Sequence, residues 1–144
     1  MDELRGKYID EINEGMTAVF SKTVTEADIV LFAGVSGDTS PVHLDEDYAR
    51  PTMFKGRIAH GMLTAGFISA VFGTKLPGPG CIYMSQSLKF KAPVRAGDTV
   101  VARVTATAVD RDKARVTFAT TCKVKDAVVL EGEAMLMVPR RPAA

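Results

Sequence analysis

The segment His60–Leu76, HGMLTAGFISAVFGTKL, constrains this chain most. As a helix it places Leu63, Phe67, Ala70 and Val71 on one face and is apolar on most of the others, so it has to be enclosed by other elements. Its apolar part, from Gly61 to Gly73, is about 13 residues long, and a bilayer crossing takes about 20. The segment therefore predicts a core helix rather than a membrane span, stopped by Gly73 and by PGPG from Pro77.

What encloses it follows in the sequence. From Ile82 the apolar period changes to two, in IYMSQSLKFKAPV, DTVVARVTATAVD, ARVTFATTCKVKD and VVLEGEAMLMV. These runs predict four successive antiparallel strands, with breaks at Arg95–Asp98, Asp110–Lys113 and Lys125–Ala127 short enough for hairpins. MTAVFSKTV, Met16–Val24, predicts one more strand. A length of 144 residues suits one core that buries roughly two thirds of the unfolded surface. The expectation is an α+β fold: a single domain over residues 1–144, with 1–15 as a lead-in and a long central helix wrapped by a curved antiparallel sheet. Exposed sheet edges and leftover apolar surface predict a homodimer or a higher homo-oligomer.

Lys and Arg number 18 against 17 Asp and Glu, which leaves no positive field to attract nucleic acid. The N-terminal MDELRGKYIDEINEG has no apolar signal core, so a cytoplasmic location is expected. Cys81 and Cys122 lie in no C-x-x-C or Cys/His spacing, which argues against a disulfide and a metal site.

Between Met16–Val24 and the core helix the chain is polar and punctuated. Thr25 with Asp28 three residues on resembles a capping box and predicts a helix over Glu26–Val35, ended by Gly34 and Gly37. LDEDYARP predicts one or two helical turns capped by Asp45 and terminated by Pro51, a role that accounts for Asp45, Glu46 and Asp47 without chemistry. In the interval GDTSPVHL sit Asp38 and His43, one of only two histidines. Taken singly, Asp38 is a turn former and His43 a packed core histidine. Together they mean more, because a turn containing Pro41 can bring both side chains to one point, whereas a straight helix would hold them about 140° apart.

His60 precedes the core helix, where a capping or packing role is expected. The Gly61 amide lies among the unpaired N–H groups of the helix start and suits either a developing oxyanion or tight packing against the sheet. Thr64 and Ser69 interrupt the apolar helix, where a hydroxyl commonly bonds back to a carbonyl one turn earlier. Ala65, Ser69 and Phe72 share a face. If that face lines a pocket, Ser69 orients a catalytic group and Phe72 blocks the far end, favouring short substrates. Arg50, Lys55 and Arg57 are either phosphate contacts or a solvated surface.

The stretch FAGVSGDTSPVHLDEDYA resembles the hydratase 2 motif of the MaoC-like (R)-specific enoyl-CoA hydratases, matching it at Phe32, Ser36, Gly37, Asp38, Pro41, Val42, His43 and Ala49. RIAHGMLTAGFIS, SLKFKAPVRAGDTV and EGEAMLMVP resemble later blocks of that family, so the likeness covers the chain after about Val19. Ser40 stands where the family usually has Asn, retaining a short hydrogen-bonding side chain.

The resemblance implies a hot-dog fold, Asp38 and His43 as a catalytic pair, Gly61 as an oxyanion-hole amide and Ser69 as a supporting site position. It implies an acyl-CoA thioester substrate, no cofactor beyond the CoA that belongs to the substrate, and an (R)-3-hydroxyacyl product. Rival activities on the same fold are a 3-hydroxyacyl-carrier-protein dehydratase and an acyl-CoA thioesterase, and a different class is a non-catalytic acyl-CoA-binding subunit. Many such thioesterases carry an acid on the central helix, and Gly61–Leu76 has no Asp or Glu.

Overall fold

The computed structural model describes residues 2–143. In chain order it contains β1 (Thr17–Thr23), α1 (Glu26–Ser36), α2 (Pro41–Leu44), α3 (Glu46–Ala49), α4 (Gly61–Thr74), β2 (Ile82–Gln86), β3 (Lys89–Phe90), β4 (Thr99–Asp110), β5 (Arg115–Val124) and β6 (Ala127–Met137). The helix-in-sheet arrangement expected from the sequence is what forms. α4 buries Leu63, Thr64, Ile68, Val71 and Phe72. It packs on β1, β4, β5 and β6.

The alternation read in the sequence is the physical basis of that packing. Along β4, Val100, Ala102, Val104 and Ala106 are buried while Val101 and Arg103 face out, as a pleated strand with one wet face requires. Val116, Phe118, Thr120 and Cys122 do the same in β5. The sheet runs β1-β4-β5-β6-β2, antiparallel throughout, and β3 also pairs with β6.

One expectation is overturned. The run from Ile82 to Val94 is not one strand joined to β4 by a hairpin at Arg95–Asp98. It divides into β2 and β3, and both pair with β6. A turn does exist there, with Asp98 N–H donating to Arg95 O at 3.0 Å. It serves instead to carry the chain across the sheet, because the β4–β5 and β5–β6 hairpins leave only the outer edges of β4 and β6 open. The division between β2 and β3 has a local cause at Gly132, where a Cβ would lie 1.8 Å from Ser87 O. The Ser87 carbonyl presses on the partner strand at that point, and pairing resumes only at Lys89.

α1 has the capping box its sequence predicts: Thr25 Oγ1 accepts from Asp28 N–H at 3.1 Å and Asp28 Oδ2 accepts from Thr25 N–H at 2.9 Å. The helix runs one residue past the expected Val35, with Gly34 inside it. Gly37, at φ 80, is the terminator, a left-handed conformation that costs glycine little. Thr25→Ala is expected to lower stability by about 1 kcal/mol, read from the denaturant midpoint at unchanged slope. Asp45 caps α3 through its bond from Tyr48 N–H at 3.1 Å. α2 was expected only as a turn; Pro41 at its first position pre-sets the helical φ.

Candidate active site

The interval between α1 and α2 is held by its own polar groups. Ser36 Oγ donates to Phe32 O at 2.6 Å and accepts from Asp38 N–H at 3.1 Å. Ser40 N–H donates to Asp38 Oδ1 at 3.2 Å. Asp38 thus spends one carboxylate oxygen on its own turn and keeps Oδ2 free. That oxygen lies 3.8 Å from His43 Nε2, with the Asp38 side chain about half exposed and His43 buried. The gap is too long for a direct hydrogen bond and suits a water or substrate atom shared by both groups.

His43 is aimed by the main chain. Its Nδ1 donates to Ile58 O at 2.8 Å, a carbonyl being able only to accept, which leaves Nε2 as the nitrogen turned toward Asp38. Arg57 secures the same place from behind: Nε donates to His43 O at 2.9 Å and its guanidinium pairs with Glu26. Arg57 is therefore a brace, with its side chain mostly buried.

The two side chains border a cavity of about 520 Å³ whose walls include His60, Gly61, Thr64 and Phe90. Gly61 opens α4, and among the described residues none accepts a hydrogen bond from its amide. A Cβ at Gly61 would come within 2.5 Å of the Phe90 ring. Both roles open at this position therefore have support, a free helix-start donor and a close approach that only glycine permits.

The remaining predicted site residues do not gather here. Ala65, Ser69 and Phe72 lie near one another along α4 but meet different surroundings, and none lines this cavity. Ser69 is exposed, on the side turned away from the sheet together with Met62, Gly66 and Gly73. Phe72 is only 1% exposed, with its ring edge-on to Phe118 at 4.9 Å and to Tyr83 at 5.1 Å. Its size and apolarity are spent on the core. Thr64, one helical turn after His60, is the α4 hydroxyl that reaches the cavity.

His60 stands at the N-cap position of α4, and its side chain packs rather than caps. It makes no side-chain capping bond. Instead Nε2 donates to Asp38 O at 2.8 Å, and its ring stacks on His43 with centroids 3.8 Å apart and planes 26° from parallel. The only sequence signal for this contact was the scarcity of histidine. Asp38, His43 and His60 bring ligand-type atoms within 4.8 Å of one another. Nearly parallel rings hold their lone pairs side by side, however, so an ion in the plane of one ring lies outside the plane of the other, and the trio does not fit a metal centre. Burial pushes the Cys122 thiol up to about 12, which leaves it inert as a nucleophile. Among the described residues, no helix is long and apolar enough to cross a membrane.

The MaoC like domain family matches residues 9–128, and the chain belongs to that family. It is 62% identical over 140 residues to an (R)-specific enoyl-CoA hydratase of Rhodospirillum rubrum, covering 97% of each chain. It is 46% identical over 144 residues to a 3-hydroxybutyryl-CoA dehydratase of Methylorubrum extorquens, covering 100% of this chain and 92% of the relative. The unliganded R-hydratase of Pseudomonas aeruginosa superposes with a TM-score of 0.88 at 42% identity, over 94% of this chain and 88% of that one. The fold is the hot-dog fold of these hydratases.

Proposed function

We propose that the chain is an (R)-specific enoyl-CoA hydratase, adding water reversibly to a trans-2-enoyl-CoA to give the (R)-3-hydroxyacyl-CoA. The observation that carries this reading is the pairing of a free Asp38 Oδ2 with His43 Nε2, 3.8 Å apart at the border of the cavity that also receives the start of α4. Its chemical demands are simple to state. Water must lose a proton as its oxygen bonds to C3, C2 must gain one, and the thioester oxygen must carry enolate-like charge between the two events.

In this reading Asp38 Oδ2 takes the proton from water. The His43 imidazolium gives its Nε2 proton to C2, while its Nδ1–H remains on the Ile58 carbonyl. The Gly61 N–H, strengthened by the helix dipole, holds the thioester oxygen. Transfer of the proton from Asp38 to His43 then restores the starting state. Each proton-transfer group supplies about 10² to 10⁴ in rate and an oxyanion donor about 10² to 10³. Together they carry the reaction without metal or organic cofactor.

The working form we propose is a homodimer. Edge strand β2 exposes Ile82, Tyr83 and Met84, at 58%, 39% and 42%, an apolar edge that pairing with a second copy would cover. The outward stripe of α4, Met62, Gly66, Ser69 and Gly73, is narrow enough at its glycines for close approach of the same partner. In that arrangement Ser69 recovers the supporting role its position in the motif implies.

The test follows absorbance of the enoyl-thioester band with C4 to C8 substrates, together with a chiral assay of the product. The four-carbon acyl group in the name of the Methylorubrum relative makes crotonyl-CoA the first substrate to try. Loss of the band with formation of the (R)-alcohol is expected. Release of free thiol without addition to the double bond would establish a thioesterase instead, and binding without turnover a non-catalytic subunit.

A further inference from the structure

We infer that His60 is a positioning residue for the hydration step, one ring that fixes both members of the Asp38/His43 pair. The inference rests on the hydratase reading above and concerns a residue outside the predicted site.

Three observations meet at His60. It is 2% exposed, so its ring has no freedom that solvent could provide. Nε2 bonds the main-chain carbonyl of Asp38 at 2.8 Å, which anchors the backbone that carries the carboxylate. Its face lies on the His43 ring at 3.8 Å, and the Phe32 ring packs against it at 4.8 Å, tilted by 56°. His43 can pivot about its Nδ1–H···O=C bond to Ile58 unless something defines its plane. The His60 ring defines it.

The orphan nitrogen identifies what the residue is kept for. His60 Nδ1 is buried with no hydrogen-bond partner among the described residues. Because a carbonyl accepts only, the bond to Asp38 O places the ring proton on Nε2 and leaves the Nδ1 lone pair unmatched. A residue needed only for packing would be apolar here, and one needed only for the hydrogen bond would be an amide. Histidine combines in one small ring a flat face to stack and a donor on its far edge, at the cost of that unmatched acceptor.

Positioning within about 1 Å is worth about 10²-fold in rate. The stacking and donor functions separate in two variants. His60→Phe keeps the ring and removes the donor. His60→Gln keeps a donor of similar reach and removes the ring. In crotonyl-CoA hydration both are expected to lose kcat at least about tenfold with KM within about threefold, at a preserved melting temperature.

A His60→Phe protein with kcat within about twofold of the parent would overturn the inference, since packing alone would then account for the residue. The parent protein supplies a measurement that needs no folded variant: nitrogen-15 spectra of its two imidazoles are expected to show His60 as the Nε2–H tautomer, and an Nδ1–H pattern overturns the inference. Should the parent hydrate no enoyl-CoA, the functional reading falls, and the tautomer still decides whether the Asp38 contact exists.

Discussion

Asp38→Asn is expected to lower turnover on crotonyl-CoA by at least about a hundredfold while moving the melting temperature by no more than about a few degrees. The two halves of that expectation come from the two oxygens of one side chain. Oδ1 accepts from Ser40 N–H at 3.2 Å, and an asparagine oxygen placed there keeps the turn. Oδ2 faces His43 Nε2 at 3.8 Å, where the substitution puts an NH2 group that donates and cannot take a proton from water. Since the side chain is about half exposed, little packing is at stake. Near-normal disappearance of the enoyl band in this variant would remove Asp38 from the chemistry.

Phe72→Ala is expected to cost about 3–5 kcal/mol of folding stability, the range for deleting a buried phenylalanine ring. Its partners Phe118 and Tyr83 stand at 4.9 and 5.1 Å on edges of the ring, and the sheet behind them cannot collapse to fill the space. Guanidinium unfolding monitored by tyrosine fluorescence and circular dichroism would measure the loss, read as a lowered midpoint at constant slope. An unchanged midpoint, accompanied by a gain for octenoyl-CoA over crotonyl-CoA, would return Phe72 to the end of the acyl pocket.

Much of the fold was legible in the sequence because its elements are defined locally. Strands β4, β5 and β6 announce themselves by alternation, and α1 by the Thr25/Asp28 pair, since the groups that fix each of them lie within a few residues. Pairing order was not legible. A period-two run says which faces are wet and dry but not which neighbour it will meet, and the contact of Ser87 with Gly132 that divides β2 from β3 spans 45 residues.

The site divides along the same line. Asp38 and His43 were readable because Pro41 and the Ser36 and Ser40 turn bonds bring them together over a short interval. His60 was not, because its role is made by a carbonyl 22 residues away and by the face of another ring. Of the predicted positions on α4, Gly61 lines the cavity, Ser69 faces outward and Phe72 enters the core: helical spacing tells which residues lie near one another, and only the surroundings decide what each meets.

Beyond His43 the chain makes an excursion from Asp45 to Gly56 before returning at the Arg57 brace and Ile58, and its neck is closed by two further bonds. Ile58 N–H donates to Val42 O at 3.2 Å, and His43 Nδ1–H to Ile58 O at 2.8 Å. Both use main-chain oxygens, so the aim of the imidazole is indifferent to which side chain stands at position 58. The excursion reaches the cavity with Met53 and Phe54. A chain built this way holds its reactive groups on a fixed ring of backbone and hangs an exchangeable flap from it, so selection can trim, lengthen or repaint the flap for a new acyl group while the chemistry stays in tune.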